Sequence, residues 1–129
     1  MTRSMQEIDA APAPQPTEIR LSQDKRTLTV AFDDGPKYVL AAEILRVESP
    51  SAEVMGHGPG QKQIVPGKRD VKILTIAPNG NYAIRLGFDD GHGTGIFSWR
   101  YLRFVGENQE GLMADYLDAL DEQGLSRDA

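Results

Sequence analysis

The segment FDDGPKYVLAAEILR at residues 32–46 returns as FDDGHGTGIFSWRYLR at residues 88–103. A chain of 129 residues that writes one device twice must fold both copies around a shared core. Superposing them pairs Leu28 with Ile84, Val30 with Leu86 and Phe32 with Phe88. Beyond a one-residue difference in the loop, Leu40 pairs with Phe97, Leu45 with Leu102 and Arg46 with Arg103. The apolar positions stay apolar while their sizes change. In TLTVAFDDG the apolar side chains alternate at period two, the mark of a half-buried strand. Asp34-Gly35 supplies the left-handed backbone of a tight turn, and Tyr38 and Leu40 lie on the returning strand.

The doubled aspartates invite a catalytic reading, but adjacent strand residues point to opposite faces. Asp33 and Asp34, like Asp89 and Asp90, are therefore poorly placed to share acid–base work. Their expected role is structural, the first ending the strand and the second shaping the turn.

Around the repeat, residues 1–17 hold Pro12, Pro14 and Pro16 and few large apolar side chains, which predicts a flexible leader. The domain is expected over 18–106, beginning with a strand that carries Ile19 and Leu21. AAEILRV predicts a short helix, and Ser49-Pro50 the cap and first position of a helical turn. Residues 56–69 predict an irregular loop, and VKILTIAP a strand before the Pro78–Asn81 turn. Ser98 caps a short helix, WRYLRFV, in which Trp99 is an anchor onto the sheet. Asn108 caps a second helix that Gly124 stops, giving a C-terminal helix over 107–124 and a frayed tail over 125–129. The sequence thus predicts a small α+β domain. Two related strand–turn–strand–helical-turn units form a mainly antiparallel sheet, followed by the C-terminal helix.

Composition removes several functions. With no cysteine, the chain has no disulfide, thiolate metal site or cysteine nucleophile. A net charge of −5 opposes binding to nucleic acid or an anionic membrane. No apolar run approaches a membrane span and no secretory signal is evident, so a cytoplasmic location is expected. GHGPGQK lacks the spacing of a phosphate-binding loop.

The run from Leu40 to Gln61, with SPSAEVMGHGPGQ, and the run GNYAIRLGFDDGHGTGIFSWRYL from Gly80 to Leu102 resemble the gamma-butyrobetaine hydroxylase-like N-terminal domain family. Such domains occur alone, ahead of hydroxylase catalytic barrels, and beside iron–sulfur carrier ATPases. The resemblance implies a zinc module in the hydroxylases, with three cysteines and a histidine as ligands. Those positions fall here on Ser49, Ser51, Val54 and His92, so one ligand type of four remains. A serine hydroxyl is a poor zinc ligand and valine has no donor. The expectation is that the zinc site is absent and that packing replaces it.

His57 and His92 are the two histidines, each in a glycine-flanked loop. They are candidates for a divalent metal site, assisted by Glu53, Asp89 or Asp90. Neither is followed two positions on by an acid, as an iron-oxygenase H-x-D/E motif requires. No catalytic residue and no cofactor is assigned. Gly56, His57 and Gly58 mark a candidate partner surface, together with Lys62, Lys68 and Arg69. With Lys72, those cations form a modest patch suited to an acidic protein. The expected function is a non-enzymatic binding or adaptor module with a protein partner. The resemblance links it to iron–sulfur cluster assembly or to an oxygenase. The alternatives are a metal-binding domain built on His92 and His57, or an accessory subunit of a hydroxylase. The oligomeric state is left open.

Overall fold

Each copy of the repeat is one strand longer than the duplicated sequence announces. The computed structural model describes residues 14–51, 54 and 62–128. Strands β1 (Pro16–Leu21), β2 (Thr27–Phe32) and β3 (Lys37–Ala41) pair antiparallel in that order and lead into helix α1 (Ala42–Val47). Strands β4 (Ile73–Asn79), β5 (Ala83–Phe88) and β6 (Gly95–Ser98) do the same and lead into helix α2 (Trp99–Glu122). The architecture is α+β, two three-stranded antiparallel sheets with a C-terminal helix. No helix among the described residues is long and apolar enough to cross a membrane.

The two halves match in detail. Leu28 pairs with Leu40 in the first sheet, and Ile84 with Phe97 in the second. Both opening strands slip register at the same place, between Pro16 and Glu18 and between Ile73 and Thr75. In the turns, Phe32 N–H donates to Pro36 O (2.9 Å) and Phe88 N–H to His92 O (2.8 Å). Gly35 and Gly91 hold φ of 119° and 90°, which a side chain would resist. His92 therefore stands where the first copy has Pro36.

The first aspartate of each FDDG closes a two-bond exchange with the residue ahead of the opening strand. Asp33 N–H donates to Gln15 O (2.8 Å), and Asp33 Oδ1 accepts from Gln15 N–H (3.2 Å). Asp89 N–H donates to Lys72 O (2.9 Å), and Asp89 Oδ1 accepts from Lys72 N–H (3.1 Å). The second aspartate reaches into the other half, which local turn chemistry does not foretell. Asp34 takes Arg103 Nη1 of α2 (2.9 Å), and Asp90 takes Arg46 Nε of α1 (2.7 Å).

One core serves both halves. It joins Leu28, Val30 and Leu40 to Ile73, Leu86 and Phe97, with Ile44 and Leu45 of α1 and Leu102, Val105 and Leu120 of α2. Burying a side chain of this kind contributes about 1.5–3 kcal/mol. Trp99 packs at the edge of this core and donates Nε1–H to Asn81 O (3.0 Å), as an anchor should.

Three sequence expectations need correction. The fold begins before Glu18, because Pro16 opens β1, where its missing N–H costs no ladder bond. The two C-terminal helices are one. Ser98 does cap the start, its hydroxyl accepting from Tyr101 N–H (3.1 Å). Asn108, however, lies inside the helix and donates back to Phe104 O (2.8 Å). The helix continues because Gln109 covers the open edge of β3, donating to Val39 O (3.0 Å) and accepting from Ala41 N–H (2.9 Å). Gly124, at φ 66°, then ends it, with Leu125 N–H on Leu120 O and Gly124 N–H on Asp121 O. Finally, residues 125–128 are tied down rather than frayed. Arg127 forks onto the buried Glu43 carboxylate, Arg69 pairs with Asp128, and Gly67 N–H donates to Ser126 O. The expected leader lies almost wholly outside the described residues.

Gly106 is a close-approach position, since a Cβ there would lie 2.5 Å from the Tyr38 ring. Gly111, in the same helix, faces open space. Gly106→Ala should lower stability by roughly 1 kcal/mol, overpacking outweighing the gain in helix propensity. Gly111→Ala should raise it by about 0.5–1 kcal/mol. Urea unfolding of the two variants checks both signs.

Candidate functional site

The end of α1 and the β5–β6 turn bring polar side chains together on the second half's side of the core. Ser49 Oγ lies 2.9 Å from His92 Nε2, and both residues are buried. Ser51 Oγ lies 2.7 Å from Thr94 Oγ1, and Ser51 N–H donates to Ser49 Oγ at 3.4 Å. That last bond is the cap expected of Ser49, and Val54 N–H closes the turn on Ser51 O (3.0 Å). Room for Ser49 comes from Gly95, where a Cβ would collide with the serine hydroxyl.

Beside this pair sits Asp90. Its carboxylate accepts from His92 N–H (3.0 Å), Arg46 Nε (2.7 Å) and Lys68 Nζ (2.7 Å). Burial pushes its pKa up, but the bonds from Lys68, His92 N–H and Arg46 outweigh that and hold it at about 2. Glu48 is the opposite case. Burial raises its pKa, and Lys62, 2.5 Å away, only partly offsets the cost. Tyr101 donates to Glu48 O (2.5 Å), and its own burial raises the phenol.

Of the expected residues, the structure thus brings His92 to Ser49, with Ser51 and buried Val54 following in the same turn. Gly56, His57, Gly58 and Glu53 lie outside the described residues. Lys62, Lys68 and Arg69 each meet a carboxylate of this same chain, Glu48, Asp90 and Asp128 respectively. Sequence reasoning missed the Arg46–Asp90–Lys68 group. The available signal was the recurrence of both the Arg and the Asp at matched places in the repeat.

Chemically, a serine hydroxyl 2.9 Å from an imidazole has nucleophile-and-base reach. Here the hydroxyl is buried, and Asp90 holds the histidine by its main chain instead of orienting the ring. The contact ties two segments together. Two hydroxyls and an isopropyl group stand at the three positions where the resemblance implies cysteine ligands, and Ser49 engages the imidazole, a donor set poorly suited to zinc. Among the described residues, no three His, Cys, Asp or Glu side chains form a metal-holding group.

Two tests follow from this geometry. His92→Ala leaves the buried Ser49 hydroxyl only the long bond from Ser51 N–H and should cost about 1–3 kcal/mol. Adding Ser49→Ala to it should cost less than in the wild type, a coupling read from a double-mutant cycle. Because ionised Asp90 is favoured by folding, its contribution is full above about pH 4 and is lost as pH falls toward about 2. Asp90→Asn should flatten that fall, worth about 1 kcal/mol once solvent screening is counted, in urea midpoints measured across this range.

Known proteins can now be set beside this geometry. The family described as gamma-butyrobetaine hydroxylase-like, N-terminal, matches residues 19–103. Two NMR solution structures are similar, each with a TM-score of 0.78. One is 43% identical, covering 91% of this chain and 92% of that one. The other is 42% identical, covering 98% and 90%. The crystal structure of a protein of unknown function from Acidithiobacillus ferrooxidans, of the DUF971 family, is 43% identical with a TM-score of 0.60, covering 71% and 92%. No curated protein matches the sequence.

Proposed function

This chain belongs to the gamma-butyrobetaine hydroxylase-like N-terminal family, and from that footing we propose that it is a non-catalytic protein-binding module. What supports the reading is the commitment of its reactive groups. Asp90 accepts from three donors, His92 meets Ser49, and Glu48 meets Lys62. These groups join the end of α1, the linker ahead of β4 and the β5–β6 turn. They make a scaffold and leave the surface to make contacts. The fusions of similar domains point to an oxygenase or an iron–sulfur carrier as the partner. Because the chain has no cysteine, any role in cluster delivery acts through that partner's thiolates.

The test is affinity capture of the tagged chain from its native cells, followed by reconstitution with the purified partner. A stoichiometric complex is expected, with no substrate turnover by the isolated chain. Failure to form any complex overturns the reading. Calorimetry with zinc, nickel and ferrous iron addresses the rival metal role. Tight binding by the wild type that is lost in His57→Ala/His92→Ala would put a metal site in place of the module.

A further inference from the structure

We propose that the cleft between the β1–β2 turn and the start of β4 binds an acidic, amphipathic segment of a protein partner. The proposal rests on the module reading above and assigns it a contact surface. The cleft, of about 520 Å3, is lined by Gln23, Asp24, Lys25, Arg26, Lys72 and Leu74. It lies on the seam between the halves, where Ile73 N–H donates to Lys25 O (2.9 Å).

Charge and position together mark this place. Arg26, Arg46, Lys62, Lys68, Arg69, Arg103 and Arg127 each meet a carboxylate of the chain. Lys25, Lys72 and Arg85 meet none among the described residues, and of these Lys25 and Lys72 share the cleft. Leu74 beside them is 50% exposed. Asp24, the acid nearest in sequence, is held in the turn by Ser22 Oγ (2.6 Å) and Arg26 N–H (3.1 Å).

The repeat provides an internal control. Lys72 and Leu74 correspond to Gln15 and Thr17 in the first half, by the matched register of the two opening strands. Gln15 makes the same backbone exchange with its aspartate as Lys72, so that bond needs no lysine. Thr17 uses its hydroxyl on Ala31 O, whereas Leu74 stands exposed. Lys25 is also the one non-glycine residue with positive φ (64°) among the described residues. Glycine or asparagine takes that conformation more readily than lysine. The fold uses the backbone at these positions and leaves two ammonium groups without a carboxylate and half of the leucine side chain exposed.

Two cations in one cleft with an apolar side chain match a short peptide that carries carboxylates around an apolar side chain of its own. A nucleic acid fits less well, because a chain of net charge −5 repels a long phosphate backbone.

The test is a titration of the 15N-labelled chain with the acetylated hexapeptide Glu-Glu-Leu-Phe-Glu-Glu, followed by amide shifts. Shifts centred on residues 23–26 and 72–74 are expected, weakening with added salt. Lys25→Glu/Lys72→Glu should weaken binding at least tenfold while keeping a dispersed spectrum. Lys25→Gly should raise the melting temperature yet weaken the peptide, separating a binding role from a structural one. Absent or scattered shifts, equal binding by the charge-reversed variant, or equal shifts from a single-stranded oligonucleotide would overturn the proposal. A captured partner that binds the charge-reversed variant as well as wild type rejects the cleft and keeps the module. Peptide binding at the cleft without any capturable partner supports the cleft and rejects the module.

Discussion

The fold depends on an exchange of charge between its two halves. Each copy of the repeat carries an aspartate and an arginine that reach across to the other copy, alongside local bonds from His92 N–H to Asp90 and from Arg103 to Glu107. Asp34 neutralises Arg103, and Asp90 neutralises Arg46. This is the logic of a symmetric dimer interface, in which the same contact is made in both directions, written within one chain. A half without its mate would lose the cross-half partner of each group, so the exchange rewards the assembled pair. The two contacts are unequal in environment. Asp34 is 48% exposed at its side chain and Asp90 only 16%, and Lys68 joins the second contact as a further donor. Arg103 gains from neighbours of a different kind, lying 5.2 Å from the centre of the Phe32 ring and 5.8 Å from that of Tyr38.

Steric complementarity follows the same plan with the sizes reversed. In the first half a strand residue, Tyr38, fills the space left by Gly106 on α2. In the second half the strand residue is Gly95, and Ser49 after α1 fills the space. Where the chain after α1 comes down on Gly95, Ser49 can meet His92. Where α2 comes down on Tyr38, the helix continues past a glycine. One contact, filled from opposite sides, thus separates a polar turn from a long helix.

Much of this was legible in the residues, and what was legible was local. Alternation in β2 and β5, the Asp-Gly turns, the Ser98 cap and the Gly124 stop all depend on near neighbours. The failures share a different cause. Asn108 and Gly106 look like a helix boundary until Gln109 meets the β3 edge and Tyr38 meets the glycine. The end of the described chain looks loose until Arg127 finds Glu43. Lys62, Lys68 and Arg69 look like a basic surface until their carboxylates arrive from residues 48, 90 and 128. Residue type suggested a patch that pairing cancels, and Lys25, whose side chain pairing leaves alone, carried no sequence signal.

The clasp between Glu43 and Arg127 has a consequence for biosynthesis. Glu43 belongs to α1, yet its counter-charge lies 84 residues later. While the chain is being made, the first sheet can pair as it emerges, because its strands are adjacent. Helix α1 meanwhile carries an acid that has nothing to bury against. The ion pair that covers this buried acid therefore forms only once nearly all of the described chain has been translated.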